Sequence, residues 1–154
     1  KKFSFLTIHR EDSVNSKNSI ISRLNYVNKI SNNLITFPVH PRTKKMIKKY
    51  KVKIEKFKKI KAIAPLSYFE TLTMIKKSDL VFTDSGGVQK DSFFLKKHCI
   101  ILRSETEWTE IIETGHGILW KKNLKFKKIE KNYLLGSGII SKRIINKIEC
   151  FLKK

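Results

Sequence analysis

Residues 79–89 read DLVFTDSGGVQ and combine three features that indicate a fold class. An apolar, β-prone run from Leu80 to Phe82 comes first, a polar turn with a glycine pair follows, and a helix-prone segment comes next. A buried strand that turns at glycines into a helix is the repeating unit of parallel α/β sheets. We therefore predict a strand at 79–83, a tight turn, and a helix at 87–96.

The same alternation of strand and helix patterns extends along the chain on both sides of this unit. It predicts an α/β fold with a doubly wound parallel sheet of about five to seven strands, in a single domain at residues 1–154. Residues 121–133 are charged and weakly periodic, which predicts an irregular connection. The other strands are predicted at 3–8, 34–39, 60–64, 99–102 and 117–119, and the other helices at 16–31, 42–50, 68–77, 106–114 and 139–152.

The net charge is strongly positive, +21 from 34 basic and 13 acidic residues. Such a surface attracts polyanions, so nucleic-acid binding is one alternative. The lysines are spread as pairs along the whole chain, however, which favours a solvated surface and speaks against a nucleic-acid partner. No apolar run approaches the ~20 residues that span a bilayer, and the opening is too short for a signal peptide. We therefore predict a soluble, cytoplasmic protein without membrane contact.

Candidate site residues follow the predicted strands, because ligands of doubly wound sheets bind beyond the carboxyl ends of the strands. After strand 79–83, a turn with Ser85, Gly86 and Gly87 allows close approach of a phosphate to the free N–H groups of the next helix. Asp91, one turn further, can reach a ribose hydroxyl. An ordinary capped turn between strand and helix is the alternative.

Two histidines also follow strands. His9 can move a proton near neutral pH, and its neighbour Arg10 can bind phosphate oxygens or a carboxylate. A loop histidine beside a structural ion pair is the alternative. His40 lies between Pro38 and Pro41, which favours a structural role. The spacing of the four histidines and two cysteines fits no metal site, and no cofactor is predicted; Cys99 lies in an apolar run and is predicted to be a core residue.

A fourth group, RSETEWTE at residues 103–110, follows the strand predicted at 99–102. The group contains Arg103 and Glu107, and its carboxylates could recognise hydroxyls of a sugar or a nucleotide. The alternative is that the glutamates precede a helix because acidic side chains suit its N-terminal dipole.

These groups together resemble the C-terminal domain of UDP-N-acetylglucosamine 2-epimerases. The resemblance rests on HRED (9–12), FPVHPRT (37–43), SDLVFTDSGGVQKDS (78–92) and LRSETEWTE (102–110), in this order, and GSG at 136–138 is similar to the family's Gly-Asp-Gly turn. It implies the Rossmann-like half of a GT-B-type two-domain fold. It also implies isomerase chemistry, in which anti-elimination of UDP and its re-addition invert C2 of a UDP-sugar.

The resemblance also implies roles for individual residues. His9 matches a histidine that contacts UDP and acts in catalysis, and Arg10 matches the arginine beside it. Ser85, Gly86 and Gly87 match the loop on the UDP phosphates. Asp91 stands where the family has a glutamate for the ribose hydroxyls. Arg103 and Glu107 match residues that line the cleft between the two domains.

Several positions depart from the family pattern. Asp12 and Ser13 replace a glutamate and an asparagine, and Trp108 replaces an arginine that touches the nucleotide. The TEW string resembles the branch that acts on UDP-2,3-diacetamido-2,3-dideoxy-glucuronate, which feeds polysaccharide biosynthesis. The aromatic residue beside uracil is not evident; Tyr68 and Phe69 are the nearest candidates.

The family's N-terminal domain, which holds acidic catalytic residues, has no counterpart in this sequence. We therefore expect a UDP-sugar-binding half that needs the missing domain or a partner chain, and no epimerase turnover from the isolated chain. The resemblance leaves a homodimer open. A nucleotide-sugar-binding remnant without catalysis, a nucleic-acid-binding domain and a glycosyltransferase domain are the alternatives.

Overall fold

The computed structural model describes residues 2–120, 122, 126 and 140–152, and within them six parallel strands form one sheet. The order across the sheet is β3-β2-β1-β4-β5-β6. The chain therefore builds outward from β1 to one edge, returns to the other side of β1, and builds outward again. The strands are β1 Phe3–Thr7, β2 Leu34–Pro38, β3 Ile60–Ile63, β4 Leu80–Thr83, β5 Cys99–Ile101 and β6 Gly117–Leu119.

Helices connect these strands, as the alternating pattern predicts. The doubly wound parallel α/β fold is thus confirmed, and the observed bounds lie close to the predicted ones for most elements. The helices are α1 Glu11–Val14, α2 Lys17–Ile30, α3 Pro41–Lys49, α4 Tyr68–Lys77, α5 Gly86–Phe94, α6 Thr109–Glu113 and α7 Ile140–Leu152, with a 3-10 turn at Ile54–Lys56.

Three short elements differ from the predictions. Helix α1 and the 3-10 turn were not predicted, since elements of four and three residues are too short to show a hydrophobic period. Helix α6 begins at Thr109, three residues later than predicted. The reason is local: the Thr106 hydroxyl accepts a hydrogen bond from the backbone N–H of Trp108 at 3.2 Å, a turn that competes with helix formation.

Apolar side chains are buried on both faces of the sheet. Along β1, Phe5 and Leu6 alternate between the faces and both are fully buried, and Val81 and Phe82 do the same along β4. The α2 side chains pack with Leu6 and Phe82 on one face, while Ile75 of α4 packs with Phe5 and Val81 on the other. Helices on both faces explain why the strands read as continuous apolar runs.

Cys99 lies in this core, as predicted. It is fully buried at the start of β5, and burial raises the pKa of its thiol to about 12. The residue therefore acts as a small apolar side chain.

Helix α7 carries its apolar residues at helical spacing, as predicted, but they are not in the core. Ile140, Ile144, Ile148 and Phe151 are each at least half exposed. Most of the connection predicted at 121–133, and the GSG string at 136–138, lie outside the described residues. Among the helices of the described part of the chain, none is long and apolar enough to cross a membrane.

Burial of Phe82 at the centre of the sheet leads to a stability prediction. We expect Phe82→Ala to lower the free energy of unfolding by about 3–5 kcal/mol, because the truncation leaves a cavity between packed layers. The matched variant Phe69→Ala, whose ring is 79% exposed on α4, should change it by about 0.5 kcal/mol or less. Urea denaturation measures both, and equal effects would contradict this account of the core.

Candidate functional site

The four predicted groups of site residues lie at the carboxyl edge of the sheet. The loops after β1 and β4 are neighbours there, because these two strands pair directly. The loop after β5 adjoins them on one side, and the loop after β2 on the other. The strand order reverses between β1 and β4, which opens a crevice above their ends, the usual ligand position in such sheets.

A buried carboxylate, Asp84, holds the first two loops together. It is fully buried directly after β4 and accepts hydrogen bonds from the backbone N–H of His9 at 2.9 Å and of Arg10 at 2.9 Å. Its other oxygen lies 3.7 Å from Nδ1 of His9. Asp84 is not among the predicted site residues, although an acidic residue directly after a buried strand is itself a feature that needs an explanation.

Helix α5 begins at the glycine pair. The Ser85 side chain caps the helix by accepting a hydrogen bond from the Val88 N–H at 3.4 Å, and the Thr83 hydroxyl accepts one from the Ser85 N–H at 3.0 Å. A Cβ on Gly86 would overlap Oε1 of Glu107 and lie 3.0 Å from Nε1 of Trp108. A Cβ on Gly87 would meet only the Ser85 hydroxyl, at 3.7 Å. The close approach thus occurs at Gly86.

One carboxylate beside the start of α5, that of Glu107, pairs with two arginines. Its Oε2 atom lies 2.5 Å from Nη1 of Arg103, and its Oε1 atom lies 3.6 Å from Nη1 of Arg10. Its own backbone N–H, then the Arg103 guanidinium, lower the pKa of the Glu107 carboxyl, so it is ionised at neutral pH. The fold therefore brings Arg10 next to Arg103 and Glu107, which lie 93 and 97 residues further along the sequence.

Behind this cluster lies a partly paired polar group. The Thr106 hydroxyl donates to Oε1 of the fully buried Gln89 at 2.6 Å, and Lys90 lies 4.3 Å above the Trp108 ring. The Gln89 Nε2 and Trp108 Nε1 atoms are buried and have no hydrogen-bond partner among the described residues. The Trp108 donor lies beside Gly86, so this indole belongs to the same crevice.

A small cavity of about 170 Å³ lies next to the start of α5, towards β2. The rings of His9 and His40 border it with their centroids 5.2 Å apart. Burial, then the neighbouring charges of His9 and Arg42, lower the pKa of His40, and its Nδ1 accepts the Arg42 N–H at 3.2 Å as the cap of α3. The predicted structural role of His40 matches this contact. The remaining walls are Thr7, Ile8, Pro38, Pro65, Leu66, Thr71 and Val88.

Asp91 lies further along α5, facing α4. The Tyr68 hydroxyl approaches its Oδ1 at 3.5 Å, and partial burial raises the pKa of the Asp91 carboxyl. Tyr68 and Phe69 are 61% and 79% exposed and are not among the residues that line the cavity. The walls of the cavity are instead mainly aliphatic side chains and prolines.

A second depression lies between α2 and the segment that follows α3. It measures about 490 Å³, and four lysines line it together with Asn25 and Asn28. It offers positive charge without the glycine turn or arginines of the strand-end crevice. The lysines are Lys17, Lys51, Lys53 and Lys56.

The strand-end crevice can bind an anion and move a proton. Free N–H groups at the start of α5 and two guanidinium groups suit phosphate oxygens, and the His9 ring is partly exposed beside them. No cluster of three metal-binding side chains occurs among residues 2–120, 122, 126 and 140–152. The fold and this strand-end arrangement define a Rossmann-like α/β domain.

Sequence comparison identifies the family. Residues 1–135 match the family model described as UDP-N-acetylglucosamine 2-epimerase, and the chain belongs to that family. A UDP-N-acetylglucosamine 2-epimerase homolog of Methanococcus maripaludis is 36% identical over 94% of this chain and 44% of its own length. The UDP-2,3-diacetamido-2,3-dideoxy-D-glucuronate 2-epimerase of Pseudomonas aeruginosa is 35% identical over 76% of this chain and 32% of its own length.

Solved structures support the same assignment. The UDP-GlcNAc 2-epimerase of Methanocaldococcus jannaschii superposes with a TM-score of 0.80 at 34% identity, covering 96% of this chain and 45% of that one. Its complex with UDP-GlcNAc and UDP superposes with a TM-score of 0.76 at 32% identity, with the same coverage. The chain thus spans less than half the length of these relatives.

Removal of the Asp84 carboxylate should destabilise the loop that carries His9. We expect Asp84→Ala to lower the free energy of unfolding by about 1–3 kcal/mol, because the His9 and Arg10 N–H groups lose their acceptor. Amide hydrogen exchange at these two residues should accelerate. The control is Asp79→Ala, which removes an exposed carboxylate before the same strand. Equal stability of the two variants would contradict the role given to Asp84.

Proposed function

We propose that this chain is the nucleotide-binding half of a UDP-sugar C2 epimerase, with UDP bound at the carboxyl edge of the sheet. The observation that carries the proposal is the position of Gly86 at the start of α5, beside the Glu107 carboxylate that pairs with Arg10 and Arg103. Family membership supports UDP as the nucleotide. The structural relative from Methanocaldococcus jannaschii, whose complex contains UDP-GlcNAc and UDP, supports it further.

The diphosphate is proposed to lie against the first turn of α5. Gly86 and Gly87 have no side chains of their own beside their N–H groups, and the helix dipole favours negative charge at that end. Ser85 supplies a hydroxyl next to these donors, although its oxygen also caps the helix. Arg10 and Arg103 add two guanidinium groups within reach of the same place.

The uridine is proposed to extend from the diphosphate into the cavity bordered by His9 and His40. Its mainly apolar walls suit the flat faces of a base, and its volume is about 170 Å³. Tyr68 and Phe69 are less suitable neighbours for uracil because both rings lie outside this cavity. Asp91 is proposed to accept hydrogen bonds from the ribose hydroxyls, while the Tyr68 hydroxyl donates to its carboxylate.

His9 is proposed as the catalytic residue of this half. Its backbone is fixed by Asp84, while its side chain is 35% exposed at the crevice, where it can exchange a proton with a bound substrate. Elimination of UDP also needs a base for the C2 proton, and the family's acidic catalytic residues belong to its N-terminal domain. A polypeptide of these 154 residues alone is therefore expected to bind UDP without epimerase turnover.

The sugar is proposed to be a 2-acetamido sugar of the kind used in polysaccharide biosynthesis. The reaction is proposed to take place in the cytoplasm. Both UDP-N-acetylglucosamine and UDP-2,3-diacetamido-2,3-dideoxy-glucuronate are named among the relatives. Trp108 favours the second, because its buried indole N–H lies beside Gly86 without a partner among the described residues, and such a donor suits a sugar carboxylate.

The glycine pair allows a matched test of diphosphate binding. We expect Gly86→Ala to weaken UDP binding about tenfold or more, because the added methyl group enters the space proposed for the phosphate. Gly87→Ala should have a much smaller effect, since its methyl group makes only an ordinary contact with Ser85 and the backbone donor is kept. Calorimetric titration with UDP measures both dissociation constants.

Helix propensity does not explain the expected difference, because alanine replaces glycine in the first turn of α5 in both variants. Two variants with the same weakened affinity would place the diphosphate elsewhere. Absence of UDP binding by the unaltered chain would remove the proposed function and leave the fold assignment unchanged.

A further inference from the structure

The carboxylate of Glu107 lies where a bound diphosphate would be expected. Its Oε1 is directly over Gly86, close enough that a Cβ there would overlap it. Its two oxygens face the guanidinium groups of Arg10 and Arg103. Both guanidinium groups proposed to recognise a phosphate are thus in contact with one negatively charged side chain of the same chain, which also lies beside Gly86.

A phosphate and this carboxylate cannot share the position. Two anions a few ångströms apart repel each other, and they do so more strongly where solvent is reduced. The guanidinium groups also have a limited number of donors, so bonds to phosphate replace bonds to Glu107. Glu107, which the resemblance places among the residues that line the cleft, therefore competes with the UDP phosphates for this position.

We infer that Glu107 is a built-in counter-ion: it occupies the diphosphate position in the free protein, holds Arg10 and Arg103 there, and is displaced when the diphosphate binds. The inference deepens the proposed function and rests on it. It adds a positioning residue to the site and predicts how the site distinguishes a uridine diphosphate from smaller anions.

The Glu107 side chain can move away from this position. Glu107 is 45% exposed, and it lies in the loop between β5 and α6, ahead of the first residue of the helix. Its ion pairs with Arg10 and Arg103 are partly exposed, which limits what their loss costs. Trp108 is adjacent in sequence, and its Nε1, which has no hydrogen-bond partner among the described residues, lies against the same glycine, beside the space that Glu107 would vacate.

Because a ligand has to displace Glu107, it needs contacts beyond those of its phosphates in order to bind tightly, and this requirement makes the site selective. A small anion that competes with Glu107 gains only the contacts that the carboxylate already makes. UDP gains these contacts together with burial of its base and ribose, which Glu107 cannot imitate. Holding the two arginines in place beforehand also lowers the ordering cost when UDP arrives.

The test compares Glu107→Gln with Glu105→Gln. Glutamine keeps the size and the hydrogen-bonding capacity of Glu107 but removes its charge. Glu105 is an exposed carboxylate two residues away, without an ion pair among the described residues, and its substitution removes the same charge from the same loop. UDP, inorganic pyrophosphate and uridine are titrated calorimetrically into the unaltered chain and both variants, after thermal unfolding has verified that all three are folded.

For Glu107→Gln we expect UDP and pyrophosphate to bind about three- to tenfold more tightly than to the unaltered chain, as removal of a competing, partly exposed ion pair implies. Uridine, which has no phosphate, should bind with unchanged affinity. Glu105→Gln should show a much smaller effect on the two phosphate ligands. The uridine measurement separates displacement from a merely structural effect, which would change all three ligands together.

Weaker or unchanged binding of UDP and pyrophosphate to Glu107→Gln would overturn the inference, and weaker binding would indicate a ligand role for the carboxylate. Equal gains for both variants would also overturn it, since general charge would then explain them. Failure of the proposed function is distinguishable: the unaltered chain would not bind UDP. In that case pyrophosphate alone decides whether Glu107 competes with an anion.

Discussion

The site depends on a single buried interaction, the acceptance of the His9 and Arg10 backbone N–H groups by the carboxylate of Asp84. A fully buried carboxylate is costly unless donors surround it, and these donors come from the loop of the neighbouring strand, 74 and 75 residues away in sequence. The interaction joins the ends of β1 and β4 at the point where the sheet order reverses. It thereby sets the backbone of His9 at a fixed place relative to the glycine turn.

Two kinds of structure meet above this interaction. The backbone part is rigid: paired strand ends, the Ser85 cap and the first turn of α5 present donors whose directions are set by the sheet. The side-chain part is adjustable, because Arg10, Arg103 and Glu107 are partly exposed, and Glu107 offsets part of the charge of the two arginines. On the proposal made above, this part rearranges when Glu107 moves away from the arginines, while the backbone part keeps its geometry.

The sequence predicts much of the fold because parallel α/β units repeat a local pattern. The strand from Leu80 and the glycine turn after it are examples. Because the strands are parallel, the loops at their carboxyl ends meet at one edge of the sheet. The contacts of Asp84 and Glu107 could not be predicted, since they depend on which distant loops become neighbours. The late start of α6 depends on one hydroxyl, Thr106. The helical spacing of the apolar residues of α7 likewise does not reveal that their side chains are exposed.

Amide chemical-shift mapping during a UDP titration tests the central claim most directly, that UDP binds at the junction of β1 and β4. The account predicts saturable shifts at residues 85–88, at His9 and Arg10 beside Asp84, and along the cavity walls. It predicts little change in the lysine-lined depression between α2 and the segment after α3. Shifts concentrated at those lysines, or spread without saturation over the basic surface, would contradict it and favour general polyanion binding.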